Sequence, residues 1–147
     1  PRPFPTTYRA RRAGMRAALD EHFPPEASWT RPEGGFFVWV TLPDYVDTGS
    51  MLGAALEHGV TYTPGDGFFP DGKTGKNCMR IAFCYESPEN LAEAVKRLAG
   101  VINERLELYR AFIDAGALPN AGRADAASRS GTQSCPLRAC PHVRKHA

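Results

Sequence analysis

Arg80 is the only charged residue in the run Asn-Cys-Met-Arg-Ile-Ala-Phe-Cys, residues 77–84. A guanidinium presents a rigid fork of N–H donors that matches a planar anion in bidentate geometry, and a carboxylate is its natural guest. In a strand, Met79, Ile81 and Phe83 share one face, while Cys78, Arg80, Ala82 and Cys84 share the other. The apolar trio must face a core. Arg80 then projects from the opposite side, flanked by small residues that leave its fork room. On this pattern alone, an arginine on the solvated side of a sheet is the simpler reading, because surface arginines are common.

Other residues suggest other chemistries. Cys135, Cys140, His142 and His146 are zinc-ligand types within one short tail, but their spacing does not match a ββα finger. Arg9, Arg11, Arg12 and Arg16 could track phosphates, yet Asp20, Glu21 and Glu26 follow closely, so a solvated helix face is the better reading. The glycine-rich stretch 63–72 lacks the Lys-Ser/Thr helix start of a P-loop and reads as a structural turn. Gly34 and Gly35 permit positive φ and a sharp entry into the strand that begins at Phe36.

These side chains need elements to position them. A helix is expected from Thr7 to His22, ended by Pro24-Pro25. Residues 28–31 and 36–42 read as two antiparallel strands around the turn 32–35. Asp47 or Thr48 caps a short helix with Met51, Leu52, Ala55 and Leu56 on its apolar side and a stop at Gly59. Residues 60–63 and 78–83 form further strands across a long Gly/Pro/Asp loop. Ser87, Pro88 and Glu89 open the last helix, whose stripe is Leu91, Val95, Leu98, Ile102, Leu106, Tyr109 and Ile113, ending near Gly116. The expected fold is α+β, a small, mostly antiparallel sheet with helices on one face. Residues 1–6 form an extension, 7–116 the domain, and 117–147 a disordered tail.

At 147 residues the chain accommodates one ordinary domain, and its 42% apolar content with a net charge of +2 fits a globular protein without naming a partner. No apolar run is long enough to span a bilayer and no secretory signal opens the chain, so the cytoplasm is the expected location. A proline at position 1 fits a processed chain or a piece of a longer one.

The ordered segments RPEGGFFVWVTLP (31–43), GVTYTPGDGFF (59–69) and NCMRIAFCYESPENLAEAVKRLAGVI (77–102) resemble the C-terminal small domain of class I aminotransferases, which use pyridoxal phosphate. The nearest branch is similar to 2-aminoadipate and aromatic amino acid aminotransferases, with MocR-type regulators close by. The resemblance spans roughly Tyr8 to Ile102. It implies that Arg80 binds the α-carboxylate of an amino acid substrate, and it places Gly35 and Phe36 near the substrate entrance as supporting residues. It further implies α-amino acid and 2-oxo acid substrates, a homodimer, and no nucleic-acid or membrane partner for this part. Transamination also needs a lysine to bind the cofactor and an acid against its pyridine nitrogen. In the family these lie in a preceding large domain. Lys73, Lys76, Lys96 and Lys145 lack that context, so no catalytic, cofactor-binding or metal residue is assigned here. The chain is then expected to be an inactive fragment of an aminotransferase, with a free-standing small domain, the ligand-sensing part of a MocR-type regulator, or a non-enzymatic α+β module with a zinc-binding tail as alternatives.

Overall fold

The computed structural model describes residues 6–116. The expectations for the tail 117–147, including its disorder and the zinc reading of Cys135, Cys140, His142 and His146, lie outside these residues. Three helices and a four-stranded sheet follow in the order α1 (Thr6–His22), β1 (Ser28–Trp29), β2 (Phe37–Thr41), α2 (Thr48–Glu57), β3 (Thr63–Pro64), β4 (Cys78–Ala82) and α3 (Pro88–Asp114). A short 3-10 turn, Asp66–Phe68, interrupts the loop between β3 and β4. The strands are arranged β1-β2-β4-β3, and every pairing is antiparallel. This is the expected α+β architecture.

Register divides the sheet into two faces, because residues paired across an antiparallel ladder point the same way. Val38 pairs with Ile81, and Val40 with Met79, so the inner face is apolar. It is buried against Met15, Ala18 and Leu19 of α1 and Leu91, Val95, Leu98 and Ile102 of α3 in one core. The outer face carries Phe37 opposite Ala82, Trp39 opposite Arg80, and Thr41 opposite Cys78, with Thr63 of β3 flanking Arg80 on its other side.

Capping follows the local chemistry. The Asp47 carboxylate accepts from the Ser50 amide at 3.0 Å, and the Ser87 hydroxyl accepts from the Asn90 amide at 3.2 Å, satisfying helix N–H groups that have no partner within the helix. Pro88 takes the first turn of α3, where its missing N–H costs nothing.

Several expectations need correction. Leu56, assigned to the apolar side of α2, is 55% exposed, since only Met51 and Ala55 of that helix are buried hydrophobics. The apolar stripe of α3 serves the core only as far as Leu106. Beyond it Tyr109 instead stacks on Tyr45, with ring centroids 3.7 Å apart. The strand expected at 60–63 pairs only at Thr63 and Pro64. Val60 and Tyr62 are buried, and the Tyr62 hydroxyl donates to the Thr48 carbonyl at 2.6 Å. Burial pushes the Tyr62 phenol well up, so it remains a donor at any ordinary pH.

Among the described residues no helix is long and apolar enough to cross a membrane.

Candidate functional site

Arg80 lies at the middle of β4, the strand flanked by β2 and β3, and projects from the face away from the helices. Its Cζ sits 4.2 Å from the centre of the Phe37 ring and 4.6 Å from that of Phe68. The two rings reach it from different directions in the chain: Phe37 opens β2, and Phe68 closes the 3-10 turn in the loop that follows β3. Among the described residues, no hydrogen bond or ion pair engages the guanidinium, whereas Arg31 pairs with Asp20, Arg97 with Glu93 and Arg110 with Glu26. Arg80 is therefore held by aromatic faces, which attract a cation through the ring quadrupole and use none of its N–H donors.

The collar extends further. Trp39, directly across from Arg80, meets Phe68 edge-on at 5.3 Å and Phe69 at 6.4 Å. Its indole N–H is buried and has no hydrogen-bond partner among the described residues. Phe37 and Phe68 are 42% and 43% exposed, so the outer face around Arg80 presents an open apolar surface with one cation in it. Such a surface suits a small molecule that carries a carboxylate on an apolar body.

The expectation that small residues flank Arg80 holds for Ala82, but Cys78 is fully buried rather than open. The loop after β3 folds back over it. The Gly65 amide donates to the Cys78 carbonyl at 2.8 Å, and the Cys78 amide donates to the Gly75 carbonyl at 2.9 Å. A Cβ at Gly65 would lie 2.5 Å from the Gly75 oxygen and 2.7 Å from the Cys78 Cβ, so only glycine lets the segments approach this closely. The glycine-rich stretch is a structural turn, as expected from sequence, and one that carries Phe68 and Phe69 to the site.

Gly35 has φ +87°, the conformation its turn required. With Tyr8, Arg9, Arg12, Glu33, Gly34 and Phe83 it lines a cavity of about 330 Å³ between α1 and the entry to β2. Arg80 does not line that cavity. The structure thus does not bring the two candidate residues into one pocket; they are connected through β2, where Gly35 and Phe36 lead directly into Phe37. Of the arginine cluster on α1, Arg11 turns inward, donating to the Cys84 carbonyl at 2.6 Å, while Arg9 is exposed.

Sequence reasoning missed the aromatic collar. Alternation in residues 36–42 already places Phe37 and Trp39 on one face, and pairing β2 with β4 would have put that face beside Arg80. No local signal predicts the approach of Phe68.

Comparison with known proteins bears on the family and the fold. Residues 5–98 match the model of the family described as aminotransferase class I and II. An aromatic-amino-acid aminotransferase of Thermococcus litoralis is 46% identical over 100 residues, covering 68% of this chain and 24% of that protein. A 2-aminoadipate transaminase of Thermus thermophilus is 38% identical, covering 69% and 25%. Among solved structures, kynurenine aminotransferase of Pyrococcus horikoshii superposes with a TM-score of 0.66 at 44% identity, covering 69% of this chain and 25% of that one. The α-aminoadipate aminotransferase of Thermus thermophilus, solved with N-(5'-phosphopyridoxyl)-L-leucine, gives 0.67 at 36% identity, covering 70% and 26%. The chain thus spans about a quarter of the length of these relatives. With the antiparallel sheet, the helix layer and the match over most of the described residues in agreement, the chain belongs to the aminotransferase class I and II family.

Proposed function

We propose that this chain is the C-terminal small domain of a pyridoxal-phosphate-dependent aminotransferase, that residues 7–116 form this domain, and that Arg80 receives the α-carboxylate of the substrate. The observation that carries this reading is the state of Arg80: an oriented guanidinium on an open apolar face, with its donors unspent among the described residues. A bidentate carboxylate pair would align the rest of an α-amino acid by its acid end. Gly35 supports the approach to the site through the turn into β2. The reaction moves an amino group between an α-amino acid and a 2-oxo acid in a cytoplasmic homodimer.

The described residues do not fit the cofactor by themselves. Its covalent attachment needs a lysine, and its phosphate needs donors. Lys73 and Lys76 are exposed in the loop before β4, and Lys96 is exposed on α3, the helix layer on the far side of the sheet from Arg80. On this reading the groups that hold the cofactor lie outside the described residues, and the 147-residue chain by itself should transfer no amino group.

The test is amino transfer to 2-oxoglutarate by the full-length protein with L-phenylalanine or L-2-aminoadipate as donor. Charge-assisted hydrogen bonds are worth about 1.5–3 kcal/mol, so Arg80→Gln should raise KM about tenfold to a hundredfold for either donor. An unchanged KM would remove Arg80 from substrate binding.

A second reading has one observation in its favour. An HTH-type transcriptional regulator of Escherichia coli is 33% identical over 89 residues, covering 60% of this chain and 19% of that protein. In this reading the same face senses a ligand for a MocR-type regulator. A DNA-binding module encoded upstream of Pro1, together with no amino transfer, would favour it.

A further inference from the structure

We infer that Phe37 and Phe68 are positioning residues: their rings hold the Arg80 guanidinium in the orientation that accepts a carboxylate, in the place where a protein carboxylate would otherwise have to do so. The inference rests on the carboxylate role proposed for Arg80.

An arginine side chain gives up substantial rotamer freedom when it is fixed, and a free one would pay that cost each time substrate binds. An acidic partner is one way to hold an arginine, as in the pairing of Arg31 with Asp20. At a carboxylate-binding site an acidic partner would occupy the N–H fork and compete with the substrate. Aromatic rings avoid the conflict. They attract the cation through its faces and leave the in-plane donors available. The 4.2 Å and 4.6 Å separations lie well inside the range of such attraction, and no described acidic side chain contacts Arg80.

The two rings are anchored differently. Phe37 belongs to a paired strand, while Phe68 is placed by the loop whose Gly65 and Gly75 close onto β4. Trp39 meets Phe68 edge-on and supports it from the sheet. Phe68 is thus the ring that can be altered with least effect on folding.

A double-mutant cycle in the full-length aminotransferase tests this, with L-phenylalanine and L-2-aminoadipate as donors. Phe68→Leu should raise KM about fivefold to tenfold for both donors, with kcat within about twofold, and Phe68→Tyr should restore wild-type KM. Phe37→Leu should act in the same direction. In the Arg80→Gln background Phe68→Leu should add nothing, because the ring would act only through the guanidinium. If Arg80→Gln raises KM but Phe68→Leu does not, or if its full effect persists without Arg80, the positioning inference falls and the carboxylate role stands. If Arg80→Gln leaves KM unchanged, both fall. Should Phe68→Leu fail to fold, Phe68→Met in the same cycle keeps the comparison, with the same outcomes deciding it.

Discussion

Gly65→Ala should damage both the fold and the site, although its backbone conformation tolerates alanine. With φ −78° and ψ −24°, Gly65 is in ordinary helical space, so no left-handed strain is involved. The obstacle is packing. The new Cβ would lie 2.5 Å from the Gly75 carbonyl oxygen, 2.7 Å from the Cys78 Cβ and 2.8 Å from the Cys78 carbonyl oxygen. These separations fall about 1 Å short of comfortable van der Waals contact. Two of the three atoms are backbone and cannot rotate away. The loop must lift from β4, which strains the hydrogen bond from Gly65 N–H to the Cys78 oxygen, now 2.8 Å. Overpacking of this kind costs about 1–3 kcal/mol and a lost hydrogen bond about 1 kcal/mol, while reduced freedom of the unfolded chain returns about 0.5 kcal/mol. A net loss of about 2–3 kcal/mol should lower the urea midpoint of the 147-residue chain by about 1–2 M. In the full-length protein the same change should raise KM for amino acid donors, because the displaced loop carries Phe68 away from Arg80. Gly67→Ala, two residues along, meets nothing within 4 Å and serves as the control. Equal stability and equal KM for Gly65→Ala and Gly67→Ala would refute the close-approach reasoning.

Other substitutions probe separate links. Arg80→Lys keeps the charge but loses the planar fork, so kcat/KM for amino acid donors should fall about tenfold or more, and a lysine variant as active as wild type would show that charge alone suffices. Leu98→Ala empties a fully buried position between α3 and the sheet and should cost about 3–5 kcal/mol in urea unfolding; a loss under 1 kcal/mol would mean that the core collapses into the space. Thr48→Val should destabilise the chain by about 1–3 kcal/mol, because the hydroxyl contacts the Lys76 and Cys78 carbonyls at 2.9 Å and 2.7 Å inside the core. Ser87→Ala removes the cap of α3 and should cost about 1 kcal/mol, read as a lower unfolding midpoint with unchanged KM.

The order of helices and strands was legible because its causes are local. Ser87-Pro88-Glu89 starts a helix wherever it occurs, the spacing from Leu91 to Leu106 requires an apolar stripe, and alternation through residues 78–83 separates Arg80 from Met79 and Ile81. Burial of Cys78, exposure of Leu56 and the abbreviated β3 were not legible. Each depends on what a distant segment covers, and alternation alone assigns a face without saying what lies over it. The same division runs through the candidate site. Sequence alone determined that residue 80 is a cation set apart from the apolar face of its strand. Only tertiary structure decided that rings rather than a carboxylate would hold it, because Phe37 arrives through antiparallel pairing of β2 with β4 and Phe68 through a loop folded down onto Cys78. Those contacts join residues 43 and 12 positions away from Arg80, and local propensity carries no information about which distant segments the closing core will bring together.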